Sequence, residues 1–145
     1  MKTISKMLLL TAIYLFATSC QDTETSQEDK LQGTKWKAIS VTEAQTEGLR
    51  ELEPKGCNEC YTLTFDTDNT LSMFSSANGL TGSYTVNYTD NSIHLSGLFG
   101  TEVGERGDGT LYVNALQQVH SFSYKDNELK LYYNNGMSYL FFTKQ

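Results

Sequence analysis

The stretch of sequence that decides the fold is YTLTFDTDNTLSMF, residues 61–74. Tyr61, Leu63 and Phe65 alternate with polar residues, which is the period of a strand that buries one face. Asp68-Asn69 follows, and these residue types accept the positive φ angles of a tight hairpin turn. A second alternating run comes directly after the turn. The stretch therefore predicts two antiparallel strands joined by a short connection.

The same turn signal recurs along the chain, at Asp90-Asn91, Asp126-Asn127 and Asn135-Gly136. Each turn lies between alternating runs, which predicts a meander of hairpins. One segment, Thr110–Gln118, changes to the period of a helix of about two and a half turns. Because a flat sheet would leave its edges unpaired, we predict a mainly β protein. Its form is a small antiparallel β-barrel or compact sandwich of about 7–8 strands with one short helix.

Three further regions complete the prediction of the fold. Lys35–Val41 predicts the first strand, and its Trp36, the single tryptophan, is expected to plug the end of the core. The acid-rich stretch 43–59 predicts a loop with a helical turn near 44–52. Apolar residues on both faces of Met137–Thr143 predict a last strand that is buried on both sides.

Composition indicates one folded domain with an acidic surface. The chain has 145 residues, of which 39% are hydrophobic and 12% aromatic. Its formal net charge is −6; setting aside Lys2 and Lys6 leaves 9 Lys and Arg against 17 acids, a net charge of −8 beyond residue 19. Acids repel phosphates, and the sequence has no basic stripe with interleaved aromatics. We therefore predict no nucleic-acid partner.

Residues 1–19 have the pattern of a targeting segment. Lys2 and Lys6 precede an apolar run of about eleven residues, too short to span a membrane. Ala17-Thr18-Ser19 then places small residues directly before Cys20. This stretch resembles a bacterial lipoprotein signal with its lipobox, in the relaxed form typical of Bacteroidetes. The resemblance implies a diacylglycerol on Cys20 and cleavage just before it; the alternative is an ordinary secretory signal with a chance cysteine.

Residues 20–30 are predicted to be the lipidated cysteine and an acidic tether. From Gln21 to Lys30 the chain has four acids and no apolar residue, so it cannot bury enough surface to offset its ordering entropy. Acids directly after the cysteine resemble the surface-export signals of Bacteroidetes lipoproteins, and the alternative is a plain spacer. We expect an outer-membrane, lipid-anchored protein that faces the periplasm or the cell surface.

The order of motifs over residues 31–145 resembles the META domain of HslJ-like bacterial lipoproteins. The motifs that carry the resemblance are Gly33-x-x-Trp36, the Tyr61–Phe65 strand with its turn, Asn78-x-x-x-Gly82-x-Tyr84, Thr101, a short helix and a closing strand pair of the Leu-x-Leu type. Ala77 stands where the family has a cysteine. The resemblance implies structural roles for Trp36, Asn78, Gly82 and Tyr84.

Cys57 and Cys60 form a Cys-x-x-Cys pair. In a secreted compartment we expect them to oxidise to a local disulfide; a redox motif, metal ligation and free thiols are the alternatives. A redox motif needs a strand–helix context, whereas this pair precedes a strand. His94 and His120 show no ligand spacing, so we predict no metal site and no cofactor.

The loop Thr101–Thr110 is rich in glycine and acids. Its candidate ligand-facing residues are Thr101, Glu105, Arg106 and Asp108, and the alternative is a mobile surface loop. Neither this loop nor any other part of the sequence offers a convergent catalytic set, so we predict no catalytic residues.

We predict a non-enzymatic envelope protein that is held at the membrane by its N-terminal lipid and that binds, or assembles with, an envelope protein. The alternative is a lipocalin-like carrier of a small apolar ligand. Its cavity of roughly 300 Å³ or more would be lined by Tyr61, Phe65, Tyr84, Tyr133 and Phe141.

Overall fold

The computed structural model describes residues 29–42 and 48–145. The predictions for the leader 1–19, for Cys20 and for most of the tether lie outside the described residues. The strands are β1 (Thr34–Thr42), β2 (Arg50–Glu51), β3 (Thr62–Phe65), β4 (Thr70–Phe74), β5 (Gly79–Asn87), β6 (Ser92–Gly100), β7 (Ser121–Lys125), β8 (Glu128–Tyr133) and β9 (Ser138–Lys144). The α-helix is α1 (Gly109–Gln117), and short 3-10 turns cover Thr67–Asn69 and Asn134–Gly136.

All the strands except β2 close into one antiparallel barrel of eight strands. Strands β3 to β9 pair in chain order, β1 pairs with β3, and β1 also pairs with β9 along most of its length. The two-residue β2 continues the β3 edge of β1 at Ser40 and Val41. This architecture confirms the predicted small antiparallel barrel with one short helix.

The hairpin that decides the fold forms as its sequence predicts. β3 and β4 pair Phe65 with Leu71, and both side chains are buried. Asp68 and Asn69 each have a φ of 58°, the left-handed conformation that a tight two-residue connection needs. Positive φ angles occur in the other predicted turns at Asn91, Asp126 and Asn135.

Aromatic side chains fill the interior of the barrel. Trp36 is fully buried in the first strand. The rings of Phe65 and Tyr84 pack edge to face with 4.8 Å between their centroids, a favourable arrangement for aromatic pairs. α1 contributes Tyr112, whose ring lies 5.2 Å from that of Tyr61. An eight-stranded barrel leaves an interior that side chains just fill, and these rings occupy it.

Three elements differ from the sequence prediction. Arg50–Glu51 is a strand rather than part of a helical turn, because its backbone pairs with β1. β6 continues to Gly100, whereas the sequence predicts a loop that begins at Leu98, because the last residues of β6 still pair with β5. β9 buries one face only: Leu140 and Phe142 are fully buried, whereas Met137, just before the strand, is 58% exposed. The other face of β9 lies on the outside of the barrel wall.

The two ends of the barrel carry different connections, and we name them the entry end and the far end. The entry end holds both ends of the folded chain, since Asp29 lies there and Gln145 N donates to Lys35 O at 2.8 Å. The far end holds the turn 75–78 between β4 and β5, the loop 101–108 after β6 and the turn 134–136 before β9.

The carboxylate of Asp29 fixes the chain at the entry end. Asp29 Oδ2 accepts a hydrogen bond from the Tyr84 hydroxyl at 2.7 Å, and Oδ1 accepts from the Tyr88 hydroxyl at 2.6 Å and from Leu31 N at 2.9 Å. Burial first, and then Asp29, raises the pKa of both tyrosines. Both hydroxyls therefore stay protonated as donors. The folded domain thus includes Asp29, which the sequence prediction assigned to the tether.

Replacing Asp29 by alanine should lower the free energy of unfolding by about 2 kcal/mol, because the buried Tyr84 hydroxyl loses its acceptor. Urea denaturation measures this change. Glu128→Ala, at an exposed position at the start of β8, is the matched control and should stay within about 0.5 kcal/mol of the parent protein. Equal midpoints for the two variants would show that Asp29 does not hold the chain.

Candidate functional site

A polar network built around Glu105 holds the far end of the barrel together. Glu105 Oε1 accepts hydrogen bonds from Ser75 Oγ at 2.5 Å and from Asn78 Nδ2 at 2.6 Å. Its Oε2 accepts from Ser76 Oγ at 2.6 Å and from Ser76 N at 3.2 Å. Gly109 leaves room for this arrangement, since a Cβ there would lie 2.1 Å from Glu105 Oε2. The carboxylate of Glu105 therefore joins its own loop, 101–108, to the turn 75–78, which lies about thirty residues earlier in the chain.

Asn78 fixes the beginning of the same loop. Its Oδ1 accepts from Thr101 Oγ1 at 3.0 Å and from Val103 N at 2.7 Å, and its Nδ2 donates to Val103 O at 2.7 Å. The residue is only 4% exposed. One buried amide thus supplies the hydrogen-bond partners that the backbone of an irregular loop would otherwise lack.

Asp108 connects the network to the segment 50–54. Its carboxylate accepts from Arg50 Nη1 at 2.7 Å, from Arg50 Nη2 at 3.0 Å and from Glu53 N at 2.7 Å. The backbone N of Asp108 donates to Glu53 O at 2.7 Å, and the Tyr61 hydroxyl donates to the same carbonyl. The segment 50–54 is therefore held through the side chain of Arg50 and through the backbone of Glu53.

Both acids of the network are ionised at neutral pH. Burial raises the pKa of Glu105, but the hydrogen bonds from Ser75, Ser76 and Asn78 together outweigh it and hold that pKa below its usual range. The hydrogen bond from Arg50 lowers the pKa of Asp108 against an opposing effect of burial. These carboxylates act as hydrogen-bond acceptors that shape the far end, and neither is poised to donate a proton.

A cleft of about 530 Å³ opens on the outer wall, between the second half of β1 and the segment 49–58. Its apolar lining consists of Ala38, Ile39, Leu49, Leu52, Pro54 and Phe141. Ile39 is 40% exposed and Leu49 is 57% exposed. Because Asp108 holds residues 50–54, the polar network positions one wall of this cleft.

The Cys57–Cys60 loop forms the rim of the cleft. A disulfide joins the two cysteines, with their Cα atoms 5.4 Å apart. Lys37 reaches this loop from β1: its Nζ donates to Cys57 O at 2.6 Å and to Cys60 O, and lies 5.8 Å from the centroid of the Tyr61 ring. Burial lowers the pKa of Lys37. The loop is thus closed by a covalent bond and attached to the barrel by an ammonium group.

The family model described as the META domain matches residues 29–145. The chain belongs to the META domain family. This confirms the resemblance seen in the sequence, and the match begins at Asp29, the residue that fixes the chain at the entry end.

Other proteins resemble this META domain in sequence or in structure. A Tannerella forsythia protein described as "Putative lipoprotein" is 29% identical over 140 residues, which are 96% of this chain and 91% of that protein. An NMR structure of a protein from Burkholderia xenovorans matches with a TM-score of 0.65 and 23% identity, covering 79% of this chain and 83% of the other. A crystal structure of a DUF4847 family protein from Bacteroides vulgatus matches with a TM-score of 0.58 and 12% identity, covering 79% and 94%. The two structures show the likeness of fold alone.

The motif residues of the META domain have identifiable packing roles in this structure. Trp36 and Tyr84 lie in the core, and Asn78 holds the far-end loop. Gly82 lies where β5 approaches β6: a Cβ at this position would be 2.6 Å from Leu98 Cδ2 and 2.7 Å from Ser96 O. A larger residue at Gly82 would therefore separate the two strands.

The four loop residues expected to face a ligand are hydrogen-bonded within the META domain itself. Thr101, Glu105 and Asp108 take part in the contacts given above. Arg106 N donates to Ser76 Oγ at 2.7 Å, and its Nη2 donates to Ser76 O at 3.2 Å. The structure brings these residues together, and their contacts attach the loop to the barrel.

The five aromatic residues expected to line an internal cavity do not share one surface. Phe65, Tyr84 and Tyr61 are buried in the packed core. Tyr133 is half-buried, and Phe141 lies on the outer wall, where it lines the cleft. This arrangement does not support a carrier with a hollow barrel.

The two histidines lie at the junction of β6 and β7. His94 and His120 line one depression of about 270 Å³, and in the described part of the chain neither forms an ion pair. Among residues 29–42 and 48–145, no three His, Cys, Asp or Glu side chains lie close enough to hold a metal ion. The helix in these ranges is not long and apolar enough to cross a membrane.

Sequence reasoning missed Lys37, Arg50 and Leu49, which shape the cleft. Local patterns do not mark them, because their partners lie far along the chain. The sequence does contain one signal for the polar network, the pair Ser75-Ser76. Two adjacent hydroxyl groups shortly before an asparagine can donate hydrogen bonds to one carboxylate.

Replacing Glu105 by alanine should lower the free energy of unfolding by about 3 kcal/mol, because four donors lose a charged acceptor. Because the pKa of Glu105 is lowered on folding, its stabilisation is present above the unfolded-state pKa of about 4.3 and is lost as pH falls through the folded-state pKa. Urea denaturation at neutral and acidic pH should show the difference from the parent protein shrink in acid. Glu102→Ala, three residues earlier and exposed, is the control; an equal loss in that variant would contradict the role of Glu105.

Proposed function

We propose that this META domain is a non-enzymatic binding module, held at the outer membrane by a lipid on Cys20, and that its binding site is the cleft beside β1. One observation carries the proposal: the barrel interior is filled by its own side chains, whereas a cleft of about 530 Å³ is open on the outer wall. Pockets that hold small molecules have volumes of about 300–1,000 Å³. A small molecule is therefore the class of ligand that fits.

The state of the polar side chains supports a binding role over a catalytic one. Glu105 and Asp108 are ionised and saturated with hydrogen bonds, so neither is free to transfer a proton. Within the described residues, the ring of His120 has one polar contact, a long one of 3.5 Å from its Nδ1 to Gln118 O. Acid–base catalysis needs a titratable group within hydrogen-bond reach of a reacting atom in a suitable pocket. The cleft itself contains Lys37, whose ammonium is already bonded to two carbonyls.

The sequence and the entry end of the barrel support the lipid anchor. Cys20 follows a lipobox-like stretch, and the Tannerella relative is described as a lipoprotein. Asp29 lies nine positions after Cys20, a reach of roughly 30 Å when fully extended. An anchor at Cys20 would therefore direct the entry end towards the membrane and the far-end loops away from it.

The anchor is tested by feeding radiolabelled palmitate to cells that make the protein. The parent protein should carry label, and Cys20→Ala should carry none, because the thiol that receives the diacylglycerol is gone. Cys57→Ala with Cys60→Ala is the matched control and should keep the label. Label on Cys20→Ala would contradict the anchor.

The binding site is tested by NMR titration of lipid-free Cys20→Ala protein with decanoate, 1-decanol and decyltrimethylammonium. At least one of these amphiphiles should shift the backbone amides of Ile39, Leu49 and Gly56, because its chain would cover apolar surface in the cleft. Adding Leu49→Asp should remove the shifts. The control is Met137→Asp, at an apolar position of similar exposure outside the cleft lining. Adding this change should leave the shifts in place. No shift in the cleft with any of the three would contradict the proposal.

A further inference from the structure

The ammonium group of Lys37 has unused hydrogen-bonding capacity that faces the cleft. A lysine ammonium has three N–H donors. Two of them reach Cys57 O and Cys60 O, and both acceptors are neutral carbonyls. Lys37 also lines the cleft, and within the described residues its third donor has no hydrogen-bond acceptor. Within residues 29–42 and 48–145, no carboxylate lies within ion-pair distance of Lys37.

Three acids near the cleft are paired with cations other than Lys37. Glu51, which lines the cleft, lies 3.5 Å from Lys55, and Glu53 lies 3.9 Å from the same ammonium. Asp108 is paired with Arg50 at 2.7 Å. Lys37 is thus a partly buried positive charge in a protein with a net charge of −6. Within the described residues its ammonium meets two carbonyl dipoles and the Tyr61 ring, and no carboxylate. A buried charge is costly unless it is paired, and burial lowers the pKa of this group accordingly.

The remainder of the cleft suits an apolar chain. Ile39, Leu49, Leu52 and Phe141 line it together with Lys37. A peptide strand could not add to β1 here, because β1 is already paired with β9 on one edge and with β3 and β2 on the other. Strand addition needs a free sheet edge. An occupant of the cleft therefore meets β1 through the side chains of that strand, and the lining offers it one partly buried ammonium group and an apolar surface.

We propose that the cleft binds a small amphiphile with a carboxylate head, a proposal that rests on the cleft being the binding site. The carboxylate accepts the free N–H of Lys37 Nζ, and the chain lies against Ile39, Leu49 and Phe141. Two lysines line the cleft, Lys37 and Lys55. The ammonium of Lys55 already lies near the carboxylates of Glu51 and Glu53, so Lys37 is left to meet a monoanionic head. Phosphate groups are more often held by several donors or by the fork of an arginine.

The test is calorimetric titration of lipid-free Cys20→Ala protein with decanoate, 1-decanol and decyltrimethylammonium at neutral pH. The three probes share a chain and differ in the charge of the head. Decanoate should bind about tenfold more tightly than 1-decanol, the effect of one charged hydrogen bond. Decyltrimethylammonium should bind most weakly of the three. Equal affinity for all three would overturn the carboxylate proposal and leave the cleft as the site, whereas no binding of any probe would overturn both.

Two variants keep this test separate from effects on folding. Lys37→Met should weaken decanoate about tenfold and leave 1-decanol unchanged, so that retained alcohol binding shows an intact cleft. Lys35→Met is the control, since Lys35 lies on the same face of β1 but outside the cleft lining. Loss of decanoate selectivity in Lys35→Met, or its retention in Lys37→Met, would overturn the role of Lys37.

Discussion

The size of an eight-stranded barrel is the constraint on which the rest of this molecule depends. Such a ring has an interior that side chains just fill, and Trp36, Phe65, Tyr84 and Tyr112 occupy it here. The core therefore takes the space that a larger barrel would offer to a ligand. The surfaces that stay open are the outer wall and the far-end loops, and the cleft lies where the wall and the segment 49–58 meet.

The acids of the far-end loop give this surface its shape. Glu105 accepts hydrogen bonds from a segment about thirty residues earlier in the chain. Asp108 accepts them from a segment about sixty residues earlier. Irregular loops cannot satisfy their backbone groups by regular pairing, so side-chain acceptors take that place. The cooperative network that results fixes residues 50–54 against the barrel. In this protein, clustered acids stabilise loops and need no cation or substrate to explain them.

The barrel could be predicted from the sequence because its determinants are local. Alternating residues bury one face of a strand, and Asp68-Asn69 tolerates the φ angles of a tight turn, whatever the rest of the chain does. The order of such elements also indicated the META domain family. The polar network could not be predicted, since nothing near Asp108 shows that Arg50 is its partner. Asp29 looked like tether for the same reason: its two tyrosine donors are more than fifty residues away.

The pairing of β1 with β9 joins the first strand of the domain to the last. The remaining barrel strands pair with a neighbour in chain order, so each hairpin can form before the ring closes. The ring cannot close until Ser138–Lys144 has been synthesised. Before that, β1 and β8 both have unpaired edges, which invite strand addition by another chain. A premature stop that removed only this segment would therefore yield an open, aggregation-prone sheet and not a slightly smaller barrel.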